Sequence, residues 1–307
     1  MAVRAKTYSK YHSYRLSRSI SQIIINAVLI VLSLLFLVPM ILVISSSLTD
    51  ETALSKNGYG LIPSQFSLDA YKYIIADPYR ILSAYSVTIT VTIIGTVVGL
   101  LLMSLLAYAL SRRDFEWRKP ISFIVFFTML FNGGLVPTYY LVTQVLHLKN
   151  TLPVLILPYL IVPWFIFILR TFFATLPHEL IEAARIDGAG EWRIFFQLVL
   201  PLSTPVLATV GLFCVLMYWN DWWLPLLYVS DPKLFPLQYL LYSVMRNAEF
   251  LTSGAATKSG LVIGVAIPTQ TLRMAMVVVA MGPIAVAFLA LQRYFVRGML
   301  IGSIKGE

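Results

Sequence analysis

The stretch EAARIDGAGEWRIFFQLVLP, Glu182 to Pro201, is a polar segment set between two strongly apolar ones. It reads as helix, break, helix. Pro177 suits a first helical turn, where its missing N–H is no loss, and Glu179 sits near the positive helix start. Gly188 ends the first helix, because glycine tolerates the left-handed conformation that closes helices. In the second arm Trp192, Phe195, Phe196, Val199 and Leu200 recur at i, i+3, i+4, i+7 and i+8, which predicts one apolar face. Pro201 and Pro205 then turn the chain into the next apolar run. The predicted element is a short amphipathic hairpin on a membrane surface. Its tip carries Glu182, Arg185, Asp187, Glu191 and Arg193, charges that water or a partner protein must satisfy.

The rest of the chain supports a membrane setting. Of 307 residues, 59% are hydrophobic and only 12% are charged. A soluble domain carries about a quarter charged residues. The composition therefore predicts an all-α polytopic membrane protein with six transmembrane helices, at about 20–44, 84–110, 120–144, 152–173, 204–228 and 272–291. The transmembrane body is 20–292, with a basic segment 1–19 before it, a polar loop 174–203 inside it and a tail 293–307 after it. The first apolar run is too long for a signal-peptide core of roughly 7–15 residues, and Pro39 predicts a kink in it. Asp50 to Ser83 and Val229 to Gln270 read as long polar connections.

Charge sets an orientation. Of the 23 Lys and Arg, fifteen fall on one face. Five precede span 1, four follow span 2, three surround the Glu182 loop and three lie in the tail. The positive-inside rule makes that face cytoplasmic, with both termini and the Glu182 loop on it. No GxxxxGK[ST] run is present, so the chain carries no P-loop of its own. An exposed polar hairpin on the cytoplasmic face suits docking by a separate cytosolic protein.

The order Glu-Ala-Ala, Gly188, then Leu-Pro at Pro201 resembles the EAA loop of bacterial ABC importer permeases. EAARIDGAGEWRIFFQLVLPL, with FNGGLVPTYYLV (Phe131 to Val142), LRTFFATLPHELIEAA (Leu169 to Ala184) and QRYFVRGMLIGSIKG (Gln292 to Gly306), resembles the carbohydrate-uptake, maltose-permease-like branch. More narrowly it looks like oligosaccharide permeases of the LplC and YtcP type. The resemblance implies a type I importer (MetI-like) fold in the bacterial plasma membrane. It implies a subunit that is not itself an enzyme and that couples to ATP hydrolysis elsewhere. The implied partners are a second homologous permease in a heterodimer, a cytoplasmic ATPase dimer holding ATP and Mg, an extracytoplasmic solute-binding lipoprotein and an oligosaccharide. By the same resemblance Glu182 contacts the ATPase, Ala183 and Ala184 keep the helix slim, Asp187 and Pro201 belong to the loop, and Gly188 permits the turn. The basic tail either reaches toward the ATPase or anchors at lipid headgroups.

Two stretches are candidates for a substrate path. Asn132-Gly133-Gly134 interrupts span 3, and broken transmembrane helices occur where protein or a water-filled cavity satisfies the backbone. A packing kink explains it equally. In span 5, Tyr218, Asp221, Trp222 and Pro225 follow helical spacing beside Asn220, and Asp221 is a carboxylate inside an apolar run. Aromatic faces beside hydrogen-bonding groups suit a sugar, and an interfacial aromatic belt explains the same residues. Gly95 and Gly99 form a GxxxG pair that reads as packing within one bundle. Cys214 reads as a small buried side chain, and His12, His147 and His178 show no metal-ligand spacing. Nucleic acid is not an expected partner, because the basic residues flank apolar runs. The rivals are a gradient-driven secondary transporter, an ABC permease for a lipid-linked or peptide solute, and a membrane-embedded enzyme or scaffold. The first would want a repeat and buried carboxylates, and the last a catalytic cluster.

Overall fold

In lipid every backbone polar group must find its partner within the protein, and a helix does so within itself. The computed structural model describes residues 2–252 and 269–303, with the side chains of 22–250 and 269–286. Among the described residues the architecture is helical throughout, without strands. The basic side chains before residue 19 and beyond residue 292, and Lys258, lie outside the described side chains.

The chain divides into two compact units, Met1–Ile74 with Ile263–Val278 and Ile75–Val262 with Val279–Glu307. The first unit holds α1 (Ala2–Ser47), α2 (Glu51–Asn57), α3 (Asp69–Ile75) up to its boundary, and the start of the final helix, α14 (Thr269–Ser303). Residues 22 to 41 of α1 are exposed on every side. The helix runs on through Pro39 without ending. Asp50 caps α2 by accepting the N–H groups of Thr52 and Ala53 at 2.9 and 3.2 Å. Glu51 then reaches the start of α14, where its carboxylate accepts the N–H groups of Gln270 and Thr271 at 3.0 and 2.9 Å. A negative group at a helix start is favoured by the orphan N–H groups and the helix dipole.

The second unit is built on α4 (Pro78–Ser111), 34 residues long. Asp77 caps it by accepting the Arg80 N–H at 3.2 Å. Its buried stripe runs through Ala84, Thr88, Val91, Gly95, Gly99, Met103, Ala107 and Leu110. Against it lie α7 (Pro163–Phe173) and α11 (Thr204–Trp219). The glycine pair packs inside the chain. A Cβ on Gly95 would overlap the Tyr218 ring, and one on Gly99 would lie 2.8 Å from the Leu160 carbonyl oxygen.

Three helices, α1, α4 and α14, are long and apolar enough to cross a bilayer unbroken. Three bent pairs raise that number to as many as six, if each pair is one span. The break predicted in span 3 is larger than a kink: α5 (Arg118–Leu130) and the helical stretch Leu135–Val145, which opens with α6 (Leu135–Tyr140), meet at 111°. Thirteen helical residues reach only about 20 Å. The non-helical residues 131–134 continue the path before the turn. Span 4 is bent by 51° between Leu152–Tyr159 and α7.

Span 5 is corrected. It is not one helix over 204–228, because α11 stops at Trp219 and α12 (Trp223–Tyr228) starts afresh. The second connection is also not merely polar. It contains α13 (Leu237–Thr252), whose first N–H, on Leu237, is held by the Thr88 hydroxyl of α4 at 2.7 Å. Finally, α14 continues to Ser303, so helical backbone extends past residue 293.

Gly95→Ala and Gly99→Ala are expected to lower the melting temperature of the purified protein, each costing about 1–3 kcal/mol as overpacking does. Gly282→Ala, whose Cβ would meet nothing within 4 Å inside a helix, should not lower it. Differential scanning fluorimetry in detergent checks this.

Candidate functional site

The Glu182 stretch folds as the predicted hairpin. Its first arm is α8 (His178–Ile186), which ends at Asp187 and turns through Gly188 at φ +79°. That dihedral lies in the left-handed region, where a Cβ is strained. The second arm is α9 (Glu191–Ile194), a π turn over Phe195–Val199 and α10 (Leu200–Leu202), which contains Pro201. This arm meets α11 at 82°, so it runs across the direction of span 5.

Inward, the hairpin is anchored by Ile181, Ile194, Phe195 and Val199. All are buried in one core with Met103, Ala107, Tyr108 and Leu110 of α4. Ala184 packs against the same core, while Ala183 is exposed. The predicted apolar face is corrected here. Trp192 and Phe196 stack with ring centres 6.1 Å apart but stay exposed, and Ile194 is buried instead. A π turn adds a residue to the helical repeat and rotates the face that follows.

The charges of the tip divide into two groups. Arg185 and Glu191 are satisfied within the protein: the Arg185 Nε donates to Glu191 Oε1 at 2.9 Å across the Gly188 turn. Tyr108 of α4 donates its hydroxyl to Glu191 Oε2 at 2.7 Å. Arg185 Nη2 also donates to Asp114 Oδ2 at 2.8 Å, and Arg112 Nε donates to Asp114 Oδ1 at 3.2 Å. Burial acts to raise the Asp114 carboxyl, but hydrogen bonds from Arg112 and Arg185 outweigh it and hold it at about 2. Burial opposes Glu191 too, yet the Tyr108 and Arg185 hydrogen bonds bring it below the usual range. Arg185 is raised, first by Glu191 and then by Asp114. Arg193 Nε donates to Gln197 Oε1 at 2.9 Å. In contrast, Glu182 and Asp187 are exposed, and among the described residues neither makes a side-chain hydrogen bond or ion pair. Between them Ile186 is 87% exposed. Beside the lock of charges lies a cleft of about 340 Å³, lined by Tyr108, Arg112, Phe115 and Trp192 among others.

The path candidates do not converge. Asn132 spends its side-chain oxygen on the Gly134 N–H at 2.9 Å. The shared helical face of Tyr218, Asp221, Trp222 and Pro225 is corrected, because the helix breaks at Asn220. Tyr218 is buried and donates to the Ile156 carbonyl at 3.0 Å. Asp221 Oδ1 gathers the Trp223 and Leu224 N–H groups at 3.0 and 3.3 Å, opening α12. Asn220 is exposed and donates to the Leu216 carbonyl at 2.8 Å. Trp222 is exposed and lies against the Tyr242 ring of α13 at 4.9 Å. No group of His, Cys, Asp and Glu able to hold a metal occurs among the described residues, and Cys214 is buried.

The second unit thus fixes a polar hairpin at its base and leaves Glu182, Ile186 and Asp187 exposed at its tip. Residues 117–301 match the model of the family described as binding-protein-dependent transport system inner membrane component, and the chain belongs to that family of ABC importer permeases. It is 42% identical over 285 residues to the Polygalacturonan/rhamnogalacturonan transport system permease protein YtcP of Bacillus subtilis (strain 168), covering 92% of this chain and 97% of that one. It is 39% identical over 270 residues to Protein LplC of the same strain, covering 88% and 90%. Its fold matches a chain in a crystal structure of a bacterial ABC transporter involved in the import of the acidic polysaccharide alginate, with TM-score 0.75 and 27% identity over 89% of this chain and 95% of that one.

Gly188→Val forces a branched side chain into the left-handed region and is expected to cost about 1–3 kcal/mol. The loss should concentrate in the hairpin, read as faster amide exchange at 178–202 with the rest of the second unit unchanged.

Proposed function

We propose that this chain is one of two different membrane subunits of an importer for oligosaccharides, and that the α8–α9 hairpin is its seat on a cytoplasmic ATPase. The observation that carries the reading is the division of the hairpin. Its base is locked by packing and charge pairing, while Glu182, Ile186 and Asp187 at its tip are left without partners. Exposed charge beside an exposed large aliphatic is what a protein partner covers. The basic face includes this hairpin, which supports a cytoplasmic tip and cytoplasmic termini.

ATP and Mg belong to the ATPase dimer, since the sequence offers no P-loop. An extracytoplasmic binding lipoprotein delivers the sugar to the opposite face. Substrate class rests on the relatives, whose names include polygalacturonan, arabinooligosaccharides and melibiose. Of the five path residues, Asn220 and Trp222 keep exposed polar and aromatic surface, so these two carry the path. Tyr218 and Asp221 contribute packing and backbone support beside them, while Asn132 supports the backbone at the span 3 break.

Coexpression with a homologous permease and the ATPase tests the reading. The complex should contain one copy of each membrane chain. Glu182→Ala with Asp187→Ala should weaken ATPase association by about tenfold or more. Two copies of this chain in one complex, or full ATPase retention by the double variant, would overturn it. In proteoliposomes with the binding protein, Asn220→Ala and Trp222→Ala should slow oligosaccharide uptake while ATPase association is kept.

A further inference from the structure

The hairpin touches α4 in two different ways. Ile181, Ile194 and Phe195 meet Met103 and Ala107 through apolar contacts, which have no preferred direction. The polar contacts do have direction. Arg112, Asp114, Arg185, Glu191 and Tyr108 form one continuous chain of hydrogen bonds, drawn from α4, the loop after it, α8 and α9. Two guanidinium groups face two carboxylates, so the chain is balanced in charge. Only one link in it ties the hairpin to the body of α4 itself: the Tyr108 hydroxyl on Glu191 at 2.7 Å. The Tyr108 ring is also fixed, lying 5.4 Å from the Phe195 ring. The cleft of about 340 Å³ borders the same side chains, so the lock has open space beside it rather than packed atoms.

We propose that Tyr108 and Glu191 are positioning residues of the transport cycle, forming the joint through which displacement of the hairpin is passed to α4. Arg185 holds Glu191 in register across the Gly188 turn, so both arms move as one body. A hydrogen bond to a carboxylate is short, strong and directional, and it resists the sliding that apolar contacts permit. This inference rests on the reading that an ATPase drives the hairpin.

Tyr108→Phe removes one hydroxyl and keeps the ring. In the reconstituted complex it should keep the melting temperature and the ATPase association, yet lower the sugar transported per ATP hydrolysed by about tenfold. Glu191→Gln retains an oxygen for Tyr108 and should lower the ratio less than Glu191→Ala. Tyr108→Phe combined with Glu191→Ala should be no worse than Glu191→Ala alone, because both break the same link. An unchanged ratio in Tyr108→Phe overturns the proposal. Losses that add in the double variant, or that track lost ATPase association, overturn it too, since they place the residues in docking. The Glu182→Ala with Asp187→Ala variant separates the two readings: if it leaves ATPase association intact the docking reading fails, whatever Tyr108 does.

Discussion

Helices in hydrocarbon gain nothing by hiding apolar side chains from one another, so close approach and polar joins must hold them together. Gly95 and Gly99 supply the first by admitting the Tyr218 ring and the Leu160 carbonyl to the surface of α4. The joins then go to backbone oxygens. Proline makes several of these available, since its missing N–H leaves the carbonyl four residues earlier without a helical partner. Pro283 frees the Val279 carbonyl, and the Tyr85 hydroxyl of α4 donates to it at 2.9 Å. Pro205 frees the Pro201 carbonyl, and the Thr204 hydroxyl takes it at 2.7 Å. Trp219 Nε1 donates to the Ala280 carbonyl at 3.1 Å. Pro283 therefore marks a place where α14 is pinned to α4.

Spans and hairpin were legible because both write their signal locally. An apolar run must be about as long as the bilayer is thick, and a glycine at φ +79° must sit where Gly188 sits. The division of the tip charges was not legible. Glu182 and Glu191 look alike in sequence, nine positions apart in one motif. Only the fold brings Tyr108, 83 residues away, to one of them and to Glu191 alone. A partial signal existed in Arg185 and Glu191, opposite charges flanking a glycine turn. The apolar face of the second arm was misread because periodicity assumes 3.6 residues per turn, and the π turn at Phe195–Val199 breaks that assumption. Asp221 was misread for a related reason. Helical spacing grouped it with Tyr218, but an Asp two residues before a helix interior competes with helix and opens a new one instead.

These features meet on α4. Tyr108 near one end bonds Glu191 of the hairpin, Gly95 farther along receives Tyr218 of α11, and Thr88 holds the first N–H of α13. Tyr108 and Thr88 are 20 residues apart, about 30 Å along a helix, which is the thickness of the hydrocarbon. Between them α4 is an unbroken helix, whereas α5, the Leu152–Tyr159 segment and α11 all meet bends. A continuous helix keeps its hydrogen bonds when tilted, so under the Tyr108–Glu191 proposal a push at Tyr108 would reach Thr88 as displacement instead of ending at a break. At two breaks a side chain re-satisfies the backbone, as Asn132 does for Gly134 and Asp221 for Trp223. An unbroken helix beside bent spans is the arrangement that the proposed Tyr108 joint needs if displacement of the hairpin is to cross the bilayer.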